Sequence, residues 1–131
     1  MTYAALLILA VFLCRAELEA LALVVLVGAS YYLPVELIRD RDVWYATCIF
    51  AEMTVAVSAL FLSTRSSLPV AYICIMLITG HILDWHHQSG QVYYIIANYL
   101  EYLEIISCII FSPSLLNLLR KKISYAISRN R

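Results

Sequence analysis

Glycine and proline are scarce in this chain, with 3 of each among 131 residues. These residues usually mark the turns of folds that are built from many short strands, so their scarcity favours long helices. No fixed-length repeat and no composition shift divides the sequence. We therefore expect one all-α unit.

Charged residues are also few, at 14% of the chain, while hydrophobic residues make up 63%. An ordinary soluble domain has about 25% charged and about 45–50% apolar residues. This composition predicts a polytopic integral membrane protein whose main partner is the lipid bilayer. Nine Lys and Arg residues balance nine Asp and Glu residues, so the net charge does not indicate a nucleic-acid partner.

The motifs of several reaction classes are missing. The sequence has neither a GxSxG nucleophile turn nor a glycine-rich phosphate loop. No CxxC pair is present, and each of the four cysteines lies in a different apolar run, which predicts buried packing thiols rather than a disulfide or metal framework. We expect neither an enzyme nor a cofactor. The cysteines are Cys14, Cys48, Cys74 and Cys108.

Prolines and short polar patches divide the chain into four apolar blocks, and about 20 helical residues are needed to cross a bilayer. The first block has no basic residue ahead of it and no small residue before Cys14, so we expect it to be retained. This block is too long to cross the bilayer once and rather short to cross it twice. We predict one long tilted helix there, the alternative being a short re-entrant or interfacial helix followed by a span. Residues 1–114 would form the transmembrane helical bundle, with spans at about 3–33, 43–63, 69–85 and 91–111.

Two patterns predict the orientation of these spans. Trp and Tyr prefer the membrane interface, and in four alternating spans the pairs Tyr31-Tyr32, Trp44-Tyr45 and Tyr93-Tyr94 fall on one face together with Trp85. Six of the nine basic residues fall on the other face, which the positive-inside rule makes cytoplasmic. We expect a bacterial inner-membrane protein with a cytoplasmic C-terminus. The six are Arg65, Arg120, Lys121, Lys122, Arg129 and Arg131.

Residues 115–131 form a basic tail in which the apolar residues share one helical side. A helix of this kind lies along a membrane surface and is attracted to anionic lipid. The alternative is a solvated tail that only marks the cytoplasmic side. The apolar side comprises Leu115, Leu116, Leu119, Ile123, Ala126 and Ile127, and the predicted membrane-surface basic residues are Arg120, Lys121, Lys122, Arg129 and Arg131.

Acidic residues interrupt the second and fourth blocks at similar depth. Glu52 follows Val43 by nine residues and Glu101 follows Gln91 by ten, so both lie roughly 14–15 Å from the same face at ~1.5 Å per residue. Each acid shares a helical face with small residues, which is typical of helix-packing seams in lipid. The two faces are Cys48, Glu52, Ala56 and Ala59 in one block, and Ala97, Glu101, Glu104 and Cys108 in the other.

An ionised carboxylate at mid-membrane costs on the order of 2.5–3.5 kcal/mol, so these acids need protons or partners. Arg15 could reach them from the first block, or a bound cation or a partner chain could compensate them. His81 and Asp84, one turn apart, are predicted to form a hydrogen-bonded pair. These residues lack the Glu-x-x-His spacing of di-iron bundles, so no metal site is predicted. The predicted intramembrane polar cluster is Glu52, Glu101, Glu104, Arg15, His81 and Asp84.

Three functions fit this pattern. The first is a non-enzymatic membrane protein that forms a homo-oligomer or docks into a larger membrane complex through its acid-and-small-residue faces. The second is a proton or cation pathway along the intramembrane carboxylates. The third is a phage-type lysis protein, a holin or antiholin, which the size, the several spans and the basic tail would suit.

Overall fold

The computed structural model describes residues 2–37, 40–87 and 90–129. Within these ranges the regular structure is helical, as the composition predicts. Helices α3, α4 and α5 are long and apolar enough to cross a membrane, whereas the apolar parts of α1 and α2 are shorter. The six helices are α1 (Tyr3–Cys14), α2 (Leu18–Leu37), α3 (Arg41–Phe61), α4 (Ser67–His87), α5 (Gln91–Ile110) and α6 (Pro113–Arg129).

The prediction of one long helix over residues 3–33 is wrong. The chain turns after Cys14, whose carbonyl accepts a hydrogen bond from the Glu17 amide at 3.1 Å, and α2 returns antiparallel to α1. The Tyr3 hydroxyl donates to the Val27 carbonyl at 3.4 Å across this hairpin. Three charged residues within residues 15–19 explain the break, because a turn leaves them exposed at an end of the bundle and a continuous helix would place them against apolar neighbours.

Helices α2 to α5 pack in sequence order, and α2 closes the ring by contacting α5. Helix α1 lies in the seam between α2 and α5. The Tyr3 ring stacks on Tyr31, with ring centroids 3.7 Å apart, and meets Tyr102 edge-on at 5.5 Å. Small residues allow this close approach, since a Cβ placed on Gly28 would lie 2.9 Å from Leu7 Cδ1.

Short turns join the long helices and define two ends of the bundle. At one end, Asp40 caps α3 by accepting from the Val43 amide at 3.1 Å, and Gly90 begins α5 from a φ of 65° that favours glycine. We call this the histidine end, because His81, His86 and His87 lie in the last two turns of α4. At the other end, Ser66, Ser67 and Ser112 are buried around the α3–α4 and α5–α6 turns. We call it the serine end.

The length of α1 leaves the bundle unevenly filled. Twelve residues extend only about 18 Å, against about 30 Å for a helix of twenty. Helix α1 runs from the level of Tyr31 in α2 to the serine end, and the core cluster that it joins includes Ala59, Val70, Ile105 and Cys108. Nearer the histidine end a separate cluster of Tyr45, Ile73, Leu77, Tyr93 and Ala97 forms the core. The α2–α5 seam therefore has no α1 beside it at that end.

Helix α6 extends the predicted tail helix by beginning at Pro113, and it packs only lightly against α1 and α5. Both its basic and its apolar residues are exposed: Arg120, Lys121 and Lys122 on the one hand and Leu119 and Ile123 on the other. The side chains of Ala126 and Arg129, and the whole of Arg131, lie outside what the structure describes.

The contact between α1 and α2 predicts different effects for two glycine substitutions. Gly28→Ala adds a Cβ against Leu7, and such overpacking costs about 1–3 kcal/mol, more than the ~1 kcal/mol that alanine gains in helix propensity. Gly80→Ala is the matched control, because its Cβ would meet only Tyr93 at 3.7 Å, an ordinary contact. We expect Gly28→Ala to melt below the wild type and Gly80→Ala at or above it.

Thermal unfolding in detergent, followed by a dye that reacts with the four buried cysteines, measures this difference. Leu7→Ala should relieve the defect of Gly28→Ala in the double variant. Equal melting temperatures for the two glycine variants would contradict the proposed packing of α1.

Candidate functional site

Three polar side chains meet in the middle of the bundle, one from each of the three long helices. Glu52 of α3, Cys74 of α4 and Glu104 of α5 are 4%, 0% and 1% exposed. Their ligand atoms all lie within 4.8 Å of one another. The Cys74 thiol donates a hydrogen bond to Glu104 Oε1 at 2.9 Å. We call these residues the central cluster.

One oxygen of the central cluster is unsatisfied. Glu52 Oε2 is fully buried and has no hydrogen-bond partner among the described residues. Buried polar atoms nearly always have a partner, and an exception needs an explanation such as an ion or a functional role. This oxygen is the strongest indication that the central cluster does more than hold helices together.

The sequence placed Glu52 and Glu104 in one polar cluster but matched the depth of Glu52 to that of Glu101, and it treated Cys74 only as a packing thiol. The signal for Cys74 lay along α4, where His81 and Asp84 follow it at spacings of seven and ten. Residues at these spacings share one helical face, and all three are buried. Projecting this face would have aligned Cys74 with the predicted acids.

Glu101 lies apart from the central cluster, one turn toward the histidine end, and is only partly buried. It lines a cavity of about 310 Å³. This cavity occupies the part of the α2–α5 seam that α1 does not reach. Its wall is largely aromatic, so the carboxyl group stands among ring faces and edges. The lining residues are Tyr31, Trp44, His81, Tyr93, Tyr94, Ala97, Asn98 and Glu101.

His81 and Asp84 are buried at the histidine end, and each bonds a tyrosine of a neighbouring helix. The Tyr45 hydroxyl donates to Asp84 Oδ2, and His81 Nδ1 shares a hydrogen bond with the Tyr93 hydroxyl. The Gly90 amide also donates to Asp84 Oδ1 at 3.3 Å. The predicted pair thus lies on one buried face of α4, and each of its members bonds a tyrosine of a neighbouring helix. His86 and His87 are exposed.

Polar groups continue from the central cluster to the serine end. The Cys14 thiol donates to the Cys108 carbonyl at 3.7 Å, and Ser66 and Ser112 are 4% and 1% exposed. Beyond them lies a second cavity, of about 240 Å³, whose lining includes Glu17 and charged or polar side chains of the adjoining turns. Buried polar side chains therefore occur at every level of the bundle.

Arg15 does not join the acids to which the sequence assigned it. It is exposed in the α1–α2 turn, where its guanidinium carbon lies 4.0 Å from the centroid of the Phe12 ring. Among the described residues it forms no ion pair with Glu52, Glu101 or Glu104. The six residues that the sequence grouped are therefore spread over several levels, and Glu52 and Glu104 lie together in the central cluster.

The small residues of the acid-bearing faces lie inside the chain. Each is less than 10% exposed, so the two faces are largely covered by neighbouring helices of the same molecule. This leaves Glu101 and Asn98 as the polar residues of α5 that reach an open cavity at mid-helix. The buried residues are Cys48, Ala56, Ala59, Ala97 and Cys108.

No protein-family model matches the chain, and no curated protein or solved structure does so either.

Proposed function

We propose that this chain is an integral membrane protein that conducts protons or small cations along its internal carboxyl groups. The observation that carries this proposal is the position of Glu101, which lines an open cavity and stands one helical turn from the buried Glu104. A carboxyl group with access from one side, followed by a second in the core, forms the first step of a relay.

The spacing of the buried groups supports stepwise transfer. Glu101 and Glu104 are separated by about 4.5 Å of helical rise, and Glu104 and Cys108 by about 6 Å. Carboxyl, thiol and hydroxyl groups can each accept a proton on one side and release one on the other. Side-chain rotation, or a water molecule, would bridge these gaps, and Ser66 and Ser112 continue the series toward the second cavity.

The cost of the central cluster also favours a functional role. Buried ionic groups are often no more stabilising than apolar residues of similar volume, so stability alone does not explain two acids here. Ionisable residues inside membrane helices usually mark ion or proton pathways. Apolar residues surround the part of the series that is nearer the serine end, and they would limit leakage of water. They include Val55, Val70 and Ile105, each at most 1% exposed.

In the proposed arrangement α2 is the fourth span, since its 20 residues extend about 30 Å. Helix α1 would be a re-entrant half-helix. The serine end faces the cytoplasm because Arg65, Arg120, Lys121 and Lys122 follow the spans that end there. Helix α6 would then lie along the cytoplasmic leaflet of the bacterial inner membrane, with its lysines near anionic lipid.

Reporter fusions test this orientation. A cytoplasmically active reporter should work after residues 66 and 131, because each follows an even number of crossings. It should fail after residue 40, which follows a single crossing. A periplasmic reporter should give the reverse pattern. The same activity at 40 and 66 would contradict the crossing of α3.

Proton conduction is tested in proteoliposomes that carry a potassium gradient, valinomycin and an internal pH dye. We expect the wild type to acidify or alkalinise the vesicles several-fold faster than empty liposomes. Glu101→Gln and Glu104→Gln should each reduce the rate to near the empty-liposome rate, because an amide cannot relay a proton. The same vesicles, with external alkali cations replaced in turn, distinguish protons from small cations.

Glu19→Gln is the control for these variants. Glu19 is exposed at the serine end and accepts a hydrogen bond from the Ser63 amide at 2.9 Å, and glutamine keeps an acceptor oxygen there. This change removes one carboxylate outside the buried series and should leave the flux unchanged. Vesicles that stay as tight as empty ones with the folded wild type would overturn the proposal.

A specific observation also favours self-association as a second function. Asn98 is exposed in the span of α5, and its side chain has no hydrogen-bond partner among the described residues. An amide exposed to hydrocarbon loses its hydrogen bonds with water, and interhelical bonds of such residues hold membrane helices together. A second copy of the chain, or a helix of a larger complex, would cover Asn98 and Glu101 together.

Disulfide crosslinking in native membranes tests this second function. Asn98→Cys should give a covalent dimer, whereas Phe50→Cys, at a position that is 73% exposed on α3, is the matched control and should not. Glu101→Gln added to Asn98→Cys should weaken the dimer band if the carboxyl group is part of the interface. Equal crosslinking of the two cysteine variants would contradict a specific interface at Asn98.

A further inference from the structure

We propose that Glu52, Cys74 and Glu104 form a binding site for one divalent transition-metal ion of the zinc class. The site lies where α3, α4 and α5 meet, so an ion bound there would join the three long helices. This metal site goes beyond the proposed conduction. It does not depend on that conduction, because a bound ion can have a purely structural role.

The donor atoms are already close to a coordinating arrangement. One donor atom from each residue lies within 4.8 Å of the other two, and Cys74 Sγ is 2.9 Å from Glu104 Oε1. Zinc bonds of about 2.0–2.2 Å to oxygen and about 2.3 Å to sulfur in tetrahedral geometry place neighbouring donors about 3.3–3.7 Å apart. Side-chain movements of about 1 Å would reach this geometry, and the helix backbones need not move.

The unsatisfied oxygen of Glu52 is an independent indication of a ligand. Glu52 is 4% exposed, and its Oε2 has no hydrogen-bond partner among the described residues although it lies in a polar cluster. A buried carboxylate oxygen without a partner is costly. A cation between the three residues would supply the missing contact, whereas another apolar or packing residue would not.

The types of donor restrict the kind of ion. Magnesium and calcium bind through oxygen ligands and take six or more of them. A thiolate with two carboxylates suits zinc and other divalent ions of similar softness. Three protein ligands leave the fourth tetrahedral position open for water or another small ligand. On binding, the Cys74 thiol and any carboxyl group of the pair that carries a proton lose it to solvent as the metal–ligand bonds form, and no electrons are transferred. One thiolate and two carboxylates would hold a divalent ion with a net charge of −1.

Cobalt(II) is a suitable probe, because a cobalt–thiolate bond gives a charge-transfer absorption in the near ultraviolet. Chelator-treated protein in detergent should bind one cobalt ion per chain with this band, and zinc should displace it. Cys74→Ser should lose the band. Cys48→Ser, the control, removes another buried thiol, on α3 outside the central cluster, and should keep the band.

The carboxylates are tested by affinity. Glu52→Gln should weaken cobalt and zinc binding by about tenfold or more, since loss of even an outer-shell partner costs 10–100-fold. Glu101→Gln changes the flux proposed above but not the metal ligands, so its affinity should stay within about twofold of the wild type. Metal binding without proton flux would support the metal site and reject the proton relay. Proton flux without metal binding would reject the metal site alone.

Folding is checked by the helical circular dichroism of each variant. For a variant that fails to fold, alkylation of the wild type replaces it: zinc should slow the modification of Cys74, read by mass spectrometry, relative to that of Cys108. A folded wild type whose bound cobalt shows no sulfur band, or whose Cys74 gains no protection from zinc, would overturn the proposal.

Discussion

The meeting of two carboxyl groups and a thiol in a buried core is the constraint on which the bundle depends. Polar atoms in such a core must face one another, because each one turned away would meet apolar side chains and lose its hydrogen bonds. The rotation of the three long helices is thereby fixed, since neighbouring residues on a helix point about 100° apart. The same requirement explains why the small residues beside Glu52 and Glu104 are buried within one chain: they allow these helices to approach closely.

The uneven filling of the seam between α2 and α5 separates two carboxyl groups that the sequence treats as equivalent. Glu104 lies behind α1 and is 1% exposed, while Glu101, three residues earlier, lines an open cavity. Helix α1 and the ring contacts of Tyr3 close the part of the seam that is nearer the serine end. Access to the interior therefore depends on where α1 ends rather than on the acidic residues themselves.

Sequence reasoning located α3, α4 and α5 to within two residues at each end, because long apolar runs bounded by charged or polar patches mark such helices clearly. It also placed Glu52 and Glu104 in one polar cluster, but the depth counted along the chain matched Glu52 to Glu101, one helical turn from the acid that it meets. It failed over residues 3–33, where hydropathy averaged across a short charged stretch conceals a turn. It failed for Arg15 because the turn after Cys14 carries this residue away from the acids, and for Cys74 because a thiol in an apolar run is by itself typical of packing.

The position of α4 between α3 and α5 has a mechanical consequence. The two outer helices run in the same direction, and α4 runs against both and meets their acids with a single sulfur atom. Sliding α4 by one residue along its axis displaces that atom by about 1.5 Å, which is more than a hydrogen bond tolerates. The hydrogen bond to Glu104 would break, and the sulfur would shift relative to the Glu52 oxygen that lies within 4.8 Å of it, so the thiol constrains the axial register of α4 against its neighbours.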